Sequence, residues 1–140
     1  GMNISNLNQA FIEIAEKKNR LFQCKKSDEM YDSLNEELAQ LEEEFQYAYG
    51  AYIEEALFNV HDEFCPDNEV LKPRSYIASA YTTGGDRDLY DVAPDEGIAV
   101  EADDFPGINA RLVLVPGPTR LVLQGQTVPF KETVWVANEN

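Results

Sequence analysis

Hydrophobic residues recur in two rhythms along this chain, a helical one up to about residue 65 and an extended one after it. Near the N-terminus Ile4, Leu7, Phe11, Ile14 and Leu21 follow steps of three and four, with Lys18 where another apolar residue would fall. That spacing predicts a helix with one apolar face. The polar run Gln23 to Asp28 ends it. Ser27 then reads as the N-cap of a second helix, and Asp28 and Glu29 suit the positive end of its dipole.

The second seam is Tyr31, Leu34, Leu38, Leu41, Phe45, Ala48 and Tyr52, a heptad pattern over about three repeats. A short connection makes the two helices antiparallel neighbours, with Lys17, Lys18 and Arg20 expected near Asp28, Asp32 and Glu36. The first helix has about twenty residues and the second runs from Asp28 to about Phe64, so the first covers only half of the second. Past Phe45 the helix looks apolar on two sides. At roughly 100° per residue, Tyr49, Tyr52 and Ala56 continue the seam, while Tyr47, Ala51 and Phe58 fall opposite. The opposite side is expected to receive the C-terminal half, with Gly50 marking a close approach or a bend.

After Cys65-Pro66-Asp67-Asn68 the signals are strands: Ser75 to Tyr81, Gly97 to Ala102, and the runs NARLVLV, TRLVLQ and TVPFKETVWVA. Pro116-Gly117-Pro118 and Gly125-Gln126 make tight connections, which predicts an antiparallel meander. Leu112, Leu114, Leu121, Leu123, Val128 and Phe130 are expected on one face, with Trp135 on that face or its opposite. The fold class is therefore α+β. An antiparallel helical hairpin over 2–65, short helix then long, precedes an antiparallel sheet or small partial barrel of about five strands over 66–140. The sheet is expected to dock on the second half of the long helix as part of one domain.

Composition changes this picture little. The 140 residues are 44% hydrophobic and 11% aromatic, enough for a core. Gly1 ahead of Met2 reads as the remnant of a removed tag. No basic leader or long apolar run follows, so a cytoplasmic protein without a membrane span is expected. Cys24 and Cys65, about 60 Å apart if the long helix is continuous, read as ordinary reduced thiols.

Charge changes it more. The formal net charge is −15 and the pI about 4.2. Such a balance excludes nucleic acid and anionic membrane as partners held by direct electrostatics and favours a basic one. Five of the basic residues lie by Lys26, and no Lys or Arg occurs between Lys26 and Lys72.

Candidate chemistry is sparse. His61 lies beside Asp62, Glu63 and Cys65, but consecutive helix positions point apart, and the spacing of a zinc site is missing. It reads as a solvated or C-terminal capping histidine. Asp86, Asp88, Asp91, Asp95 and Glu96 lie in the long aperiodic segment Thr82 to Gly97 and could offer a hard cation several oxygens, although the EF-hand order is absent. Gly84-Gly85 matches no phosphate-binding order, and no nucleophile motif is present.

The leading expectation is a non-enzymatic interaction module that binds a basic protein through an acidic, aromatic helix surface. Tyr47, Glu43, Glu44, Glu54 and Phe58 are the residues expected to carry it, and no cofactor is called for. The alternatives are a metal-dependent enzyme or small-ligand binder with a site at the acidic loop 82–104, its pocket between the sheet and residues 82–97, and a homodimer formed through the helical heptads. Tyr47 and Phe58 decide the first: buried, they are core; exposed together, they mark the partner surface.

Overall fold

The computed structural model describes residues 2–85 and 87–138. Helix α1 spans Ile4–Gln23, and its first turn is closed by Asn3, whose Oδ1 accepts the Asn6 N–H at 3.0 Å. Helix α2 spans Glu29–Phe64. Its cap is Asp28 rather than Ser27: the Asp28 carboxylate accepts the Met30 N–H at 2.9 Å and adds negative charge at the positive helix end. Neither helix is long and apolar enough to cross a membrane among the described residues.

The two helices form the antiparallel hairpin, with Leu7, Phe11, Ile14 and Ala15 of α1 buried together with Leu34, Leu38 and Phe45 of α2. The Phe11 and Phe45 rings lie 5.5 Å apart. Lys17 pairs with Glu37 at 3.1 Å and Lys18 with Glu42 at 3.4 Å. These partners lie further along α2 than the expected Asp28, Asp32 and Glu36. Residues roughly equidistant from the middle of a hairpin face each other, so a lysine well back from Lys26 meets α2 beyond its first turns.

One apolar stripe serves the whole of α2. It faces α1 at Leu34, Leu38 and Phe45, then turns gradually and meets the C-terminal half through Ile53, Ala56, Leu57 and Val60. The expected second apolar side is solvent-exposed: Tyr47 is 94% and Phe58 55% exposed, and Ala51 is exposed too, as is Ala48, which was expected in the seam. Gly50 does not mark another element either. The position of its missing Cβ is occupied by the Gln46 side chain of the preceding turn.

After α2 the chain makes a single 3-10 turn at Pro73–Tyr76 where a strand was expected. Pro73 opens the turn, and Ile77 contributes only an isolated parallel bridge to Leu114. Side chains explain why no strand forms here. Tyr81 Oη accepts the Ala78 N–H at 2.9 Å, the Glu96 carboxylate accepts the Ser79 and Ala80 N–H groups, and Asn19 Oδ1 accepts the Tyr81 N–H at 2.7 Å, so they take donors that a ladder would otherwise use.

Two short strands, β1 (Thr82–Thr83) and β2 (Tyr90–Asp91), then pair with each other. The main sheet is an open antiparallel meander of β3 (Ile98–Val100), β4 (Ala110–Val115), β5 (Arg120–Gly125) and β6 (Lys131–Val136) in sequence order. It does not close into a barrel. Leu112 pairs with Leu123 and Leu114 with Leu121, while Trp135 pairs with Leu121, so all five share a face. That face looks at the helices: the Trp135 ring lies 5.7 Å from Tyr52 of α2. Val128 and Phe130 precede β6; Val128 is 42% exposed and Phe130 stacks on Phe105 at 4.0 Å instead.

The other sheet face is also buried. Arg120 and Gln124, 4% and 1% exposed, lie on it with Val113 and Val122. Their polar ends reach the segment that crosses this face. Arg120 Nη2 donates to the Tyr90 carbonyl at 2.7 Å and Gln124 Nε2 to the Ala93 carbonyl at 2.9 Å. On the same segment Arg111 Nη1 donates to the Gly97 carbonyl at 2.8 Å. Gly97 itself has φ of +99°, and a Cβ there would meet the Leu112 carbonyl oxygen at 2.5 Å, so only glycine fits. Helices, sheet and crossing segment thus make three layers, with one hydrophobic cluster running from Ile4 to Ala137.

Candidate functional site

Helix geometry puts the five residues expected to contact a partner on one side of α2. At roughly 100° per residue, Glu43, Tyr47, Glu54 and Phe58 fall within an arc of about 60°, with Glu44 about 40° beyond. Glu43, Glu44, Tyr47 and Phe58 are exposed and Glu54 is half-buried. The two rings are eleven positions apart, three helical turns or about 16 Å. α2 holds no Lys or Arg, and its one basic residue, His61, is buried. Glu44 accepts a hydrogen bond from Gln40 Nε2 at 3.1 Å, which fixes one carboxylate on this face. The result is an acidic strip with two exposed aromatic rings.

The acidic loop is placed differently. Asp86 lies outside the described residues. Asp88 sits 3.5 Å from Arg120 Nη2, while Asp91 pairs with Lys131 Nζ at 2.6 Å. Glu96 turns to the other side, where its two carboxylate oxygens accept the Ser79 and Ala80 N–H groups at 3.0 and 3.1 Å. Asp95 is exposed. The structure therefore disperses Asp88, Asp91 and Glu96 among three different partners. Among the described residues no group of three or more His, Cys, Asp or Glu is placed to hold a metal ion.

Electrostatics match this placement. Burial pushes the Asp91 carboxyl up, but the hydrogen bonds from Lys131 and the Val92 N–H, with the charges of Lys131 and Arg120, outweigh it and hold Asp91 below its ordinary value. Burial lowers Arg120, against the opposing pull of Asp88 and Asp91. These carboxylates fasten the crossing segment to the sheet.

His61 is a buried histidine, 3% exposed, and neither solvated nor a helix cap. Its Nδ1 lies 2.9 Å from the Asn68 carbonyl, which can only accept, so Nδ1 carries the proton. Nε2 then accepts from the Tyr76 hydroxyl at 2.9 Å, and that hydroxyl oxygen in turn accepts the Leu71 N–H. The chain of three bonds ties the end of α2 to the turn that follows it. Both cysteines are free; Cys65 is fully buried, and burial, with the Asp103 charge, pushes its thiol up to about 11.

The sequence predicts a pocket between the sheet and residues 82–97. Arg120, Gln124 and Val92 are buried there, and a shallow pocket of about 280 Å³ lies at its edge between Pro94, Gln124 and Phe130. A larger cleft of about 660 Å³ lies at the β3 edge, walled by the β3–β4 connection and by Asp67 and Asn68. In the sequence this cleft corresponds to EADDFPG, Glu101 to Gly107, a stretch without periodicity whose acids Glu101 and Asp103 line it.

No protein-family model, no curated protein and no solved structure matches this chain.

Proposed function

We propose that this protein is a non-enzymatic interaction module that binds a basic protein through the outer face of α2. The observation that carries the reading is the joint exposure of Tyr47, at 94%, and Phe58, at 55%, on a helix without Lys or Arg. Large aromatic rings left in water contribute no burial to the isolated fold but have it to give to a partner, and Tyr is favoured as an interface anchor because it brings area and a hydroxyl at low entropic cost. The surrounding carboxylates favour a partner bearing Lys or Arg and speed its approach. The heptad residues Leu34, Leu38 and Phe45 are already buried inside the chain, which favours this reading over a dimer formed through them.

The test is a comparison of captured proteins. Wild-type protein is immobilised beside Tyr47→Ala and Phe58→Ala variants whose thermal melts match the wild type. A basic protein retained by wild type, released by salt and lost from both variants is the expected result. Identical retention by all three, or retention insensitive to salt, would refute it.

A further inference from the structure

We infer that the cleft at the β3 edge is a second binding site, one that takes an extended peptide bearing Lys or Arg as an added strand. β3 is the edge of the main sheet and, among the described residues, pairs only with β4. Just beyond it, the Glu101 N–H points away from β4 and donates to Asn68 Oδ1 at 2.7 Å. An amide oxygen thus stands where the carbonyl of a neighbouring strand would stand. Alternation along a strand turns the Ala99 N–H and C=O to that same outward side. Ala99 is exposed and lines the cleft, and it makes no hydrogen bond outside the ladder among the described residues.

The cleft is also shaped and charged for such a ligand. Its volume of about 660 Å³ lies in the ordinary range of binding pockets. Asp67, Glu101 and Asp103 line it, no Lys or Arg does, and none of the three carboxylates is in an ion pair among the described residues. Phe105 and Ile108 supply an apolar wall, with Phe105 held by its stack on Phe130. Backbone pairing at Ala99 would give affinity, and the alternate side chains of the added strand would meet the acids and the wall in turn. This site is separate from the α2 face and does not depend on it.

The experiment is an NMR titration of the full chain with three end-blocked heptapeptides. One alternates Lys and Val, one alternates Glu and Val, and one repeats the Lys–Val sequence with alternate backbone nitrogens methylated. The Lys–Val peptide is expected to bind saturably, to shift the Ala99, Val100 and Glu101 amides, and to slow hydrogen exchange at Ala99. The Glu–Val and methylated peptides should not bind, and an Asp67→Asn, Asp103→Asn double variant should weaken Lys–Val binding about tenfold. Equal binding of the methylated peptide would reduce the site to a charge trap and overturn strand addition. Shifts confined to the Tyr47 side of α2, or no saturable shift, would overturn the site itself.

Discussion

At the scale of single residues, the buried polar groups explain most of what the sequence concealed. His61 looked like an exposed helix-end residue because it stands near the C-terminus of α2 beside the acidic Asp62 and Glu63. Its partners, Asn68 and Tyr76, lie seven and fifteen residues on, beyond any local pattern. Removing only the Tyr76 hydroxyl, by Tyr76→Phe, leaves the Leu71 N–H and His61 Nε2 without their partner. Destabilisation of about 1–3 kcal/mol is expected, read from urea or guanidinium midpoints. The two thiols give a second check. Cys65 is fully buried and its thiol is raised to about 11, whereas Cys24 is half-exposed at the hairpin. Near pH 8, iodoacetamide should modify one cysteine per native chain, Cys24, and both once the chain is unfolded. Because the raised Cys65 value favours the neutral thiol in the fold, its contribution is fully present below about pH 8.5 and is lost as pH rises towards about 11.

Elements were more legible than residues, for a physical reason. A helix or a central strand repeats one local rule over many positions, and α1, α2, β4, β5 and β6 all stand near their expected places. Ser75 to Tyr81 broke the rule because side chains take its backbone N–H groups: Tyr81 locally, and Glu96 and Asn19 from far along the chain. α2 misled differently: its buried stripe rotates along 36 residues, so aromatic residues on the outer face looked like a second core side. Gly50 sits within this helix, and its role can be tested. An added Cβ would collide with the amide end of Gln46, a flexible side chain whose buried Oε1 has no hydrogen-bond partner among the described residues. Swinging that amide into water removes the collision and hydrates the oxygen. Gly50→Ala is therefore expected to stabilise the protein by up to about 1 kcal/mol through helix propensity, seen as a higher melting temperature. A lower one would show that Gln46 cannot leave.

For the whole molecule, the layer that covers the outer sheet face was the least legible part. Arg120 and Gln124 alternate with Leu121 and Leu123, a pattern that ordinarily marks a solvated face; only the fold shows that residues 90–97 cross above them. The same crossing explains why Asp88 and Asp91 are tied to Arg120 and Lys131, and it yields a pH prediction. Asp91 is held below its ordinary value, so its contribution is present above about pH 4 and fades as pH falls through the lowered folded value. Asp91→Asn should lower the urea midpoint at neutral pH and differ little from wild type near pH 2. Salt tests the balance of the whole charge distribution. Four ion pairs, Lys17–Glu37, Lys18–Glu42, Arg120–Asp88 and Lys131–Asp91, are found among the described residues, and three of them include a carboxylate at least a third exposed. Exposed pairs contribute little, roughly 0–1 kcal/mol each. Against them stands a net charge of −15, with eleven carboxylates on α2 and no Lys or Arg to offset them on that helix. Sodium chloride screens both, with a Debye length near 10 Å at about 0.1 M, and the repulsion is the larger and longer-ranged of the two. The melting temperature is therefore expected to rise between about 20 mM and about 300 mM sodium chloride. A fall would mean that the four pairs together outweigh the repulsion.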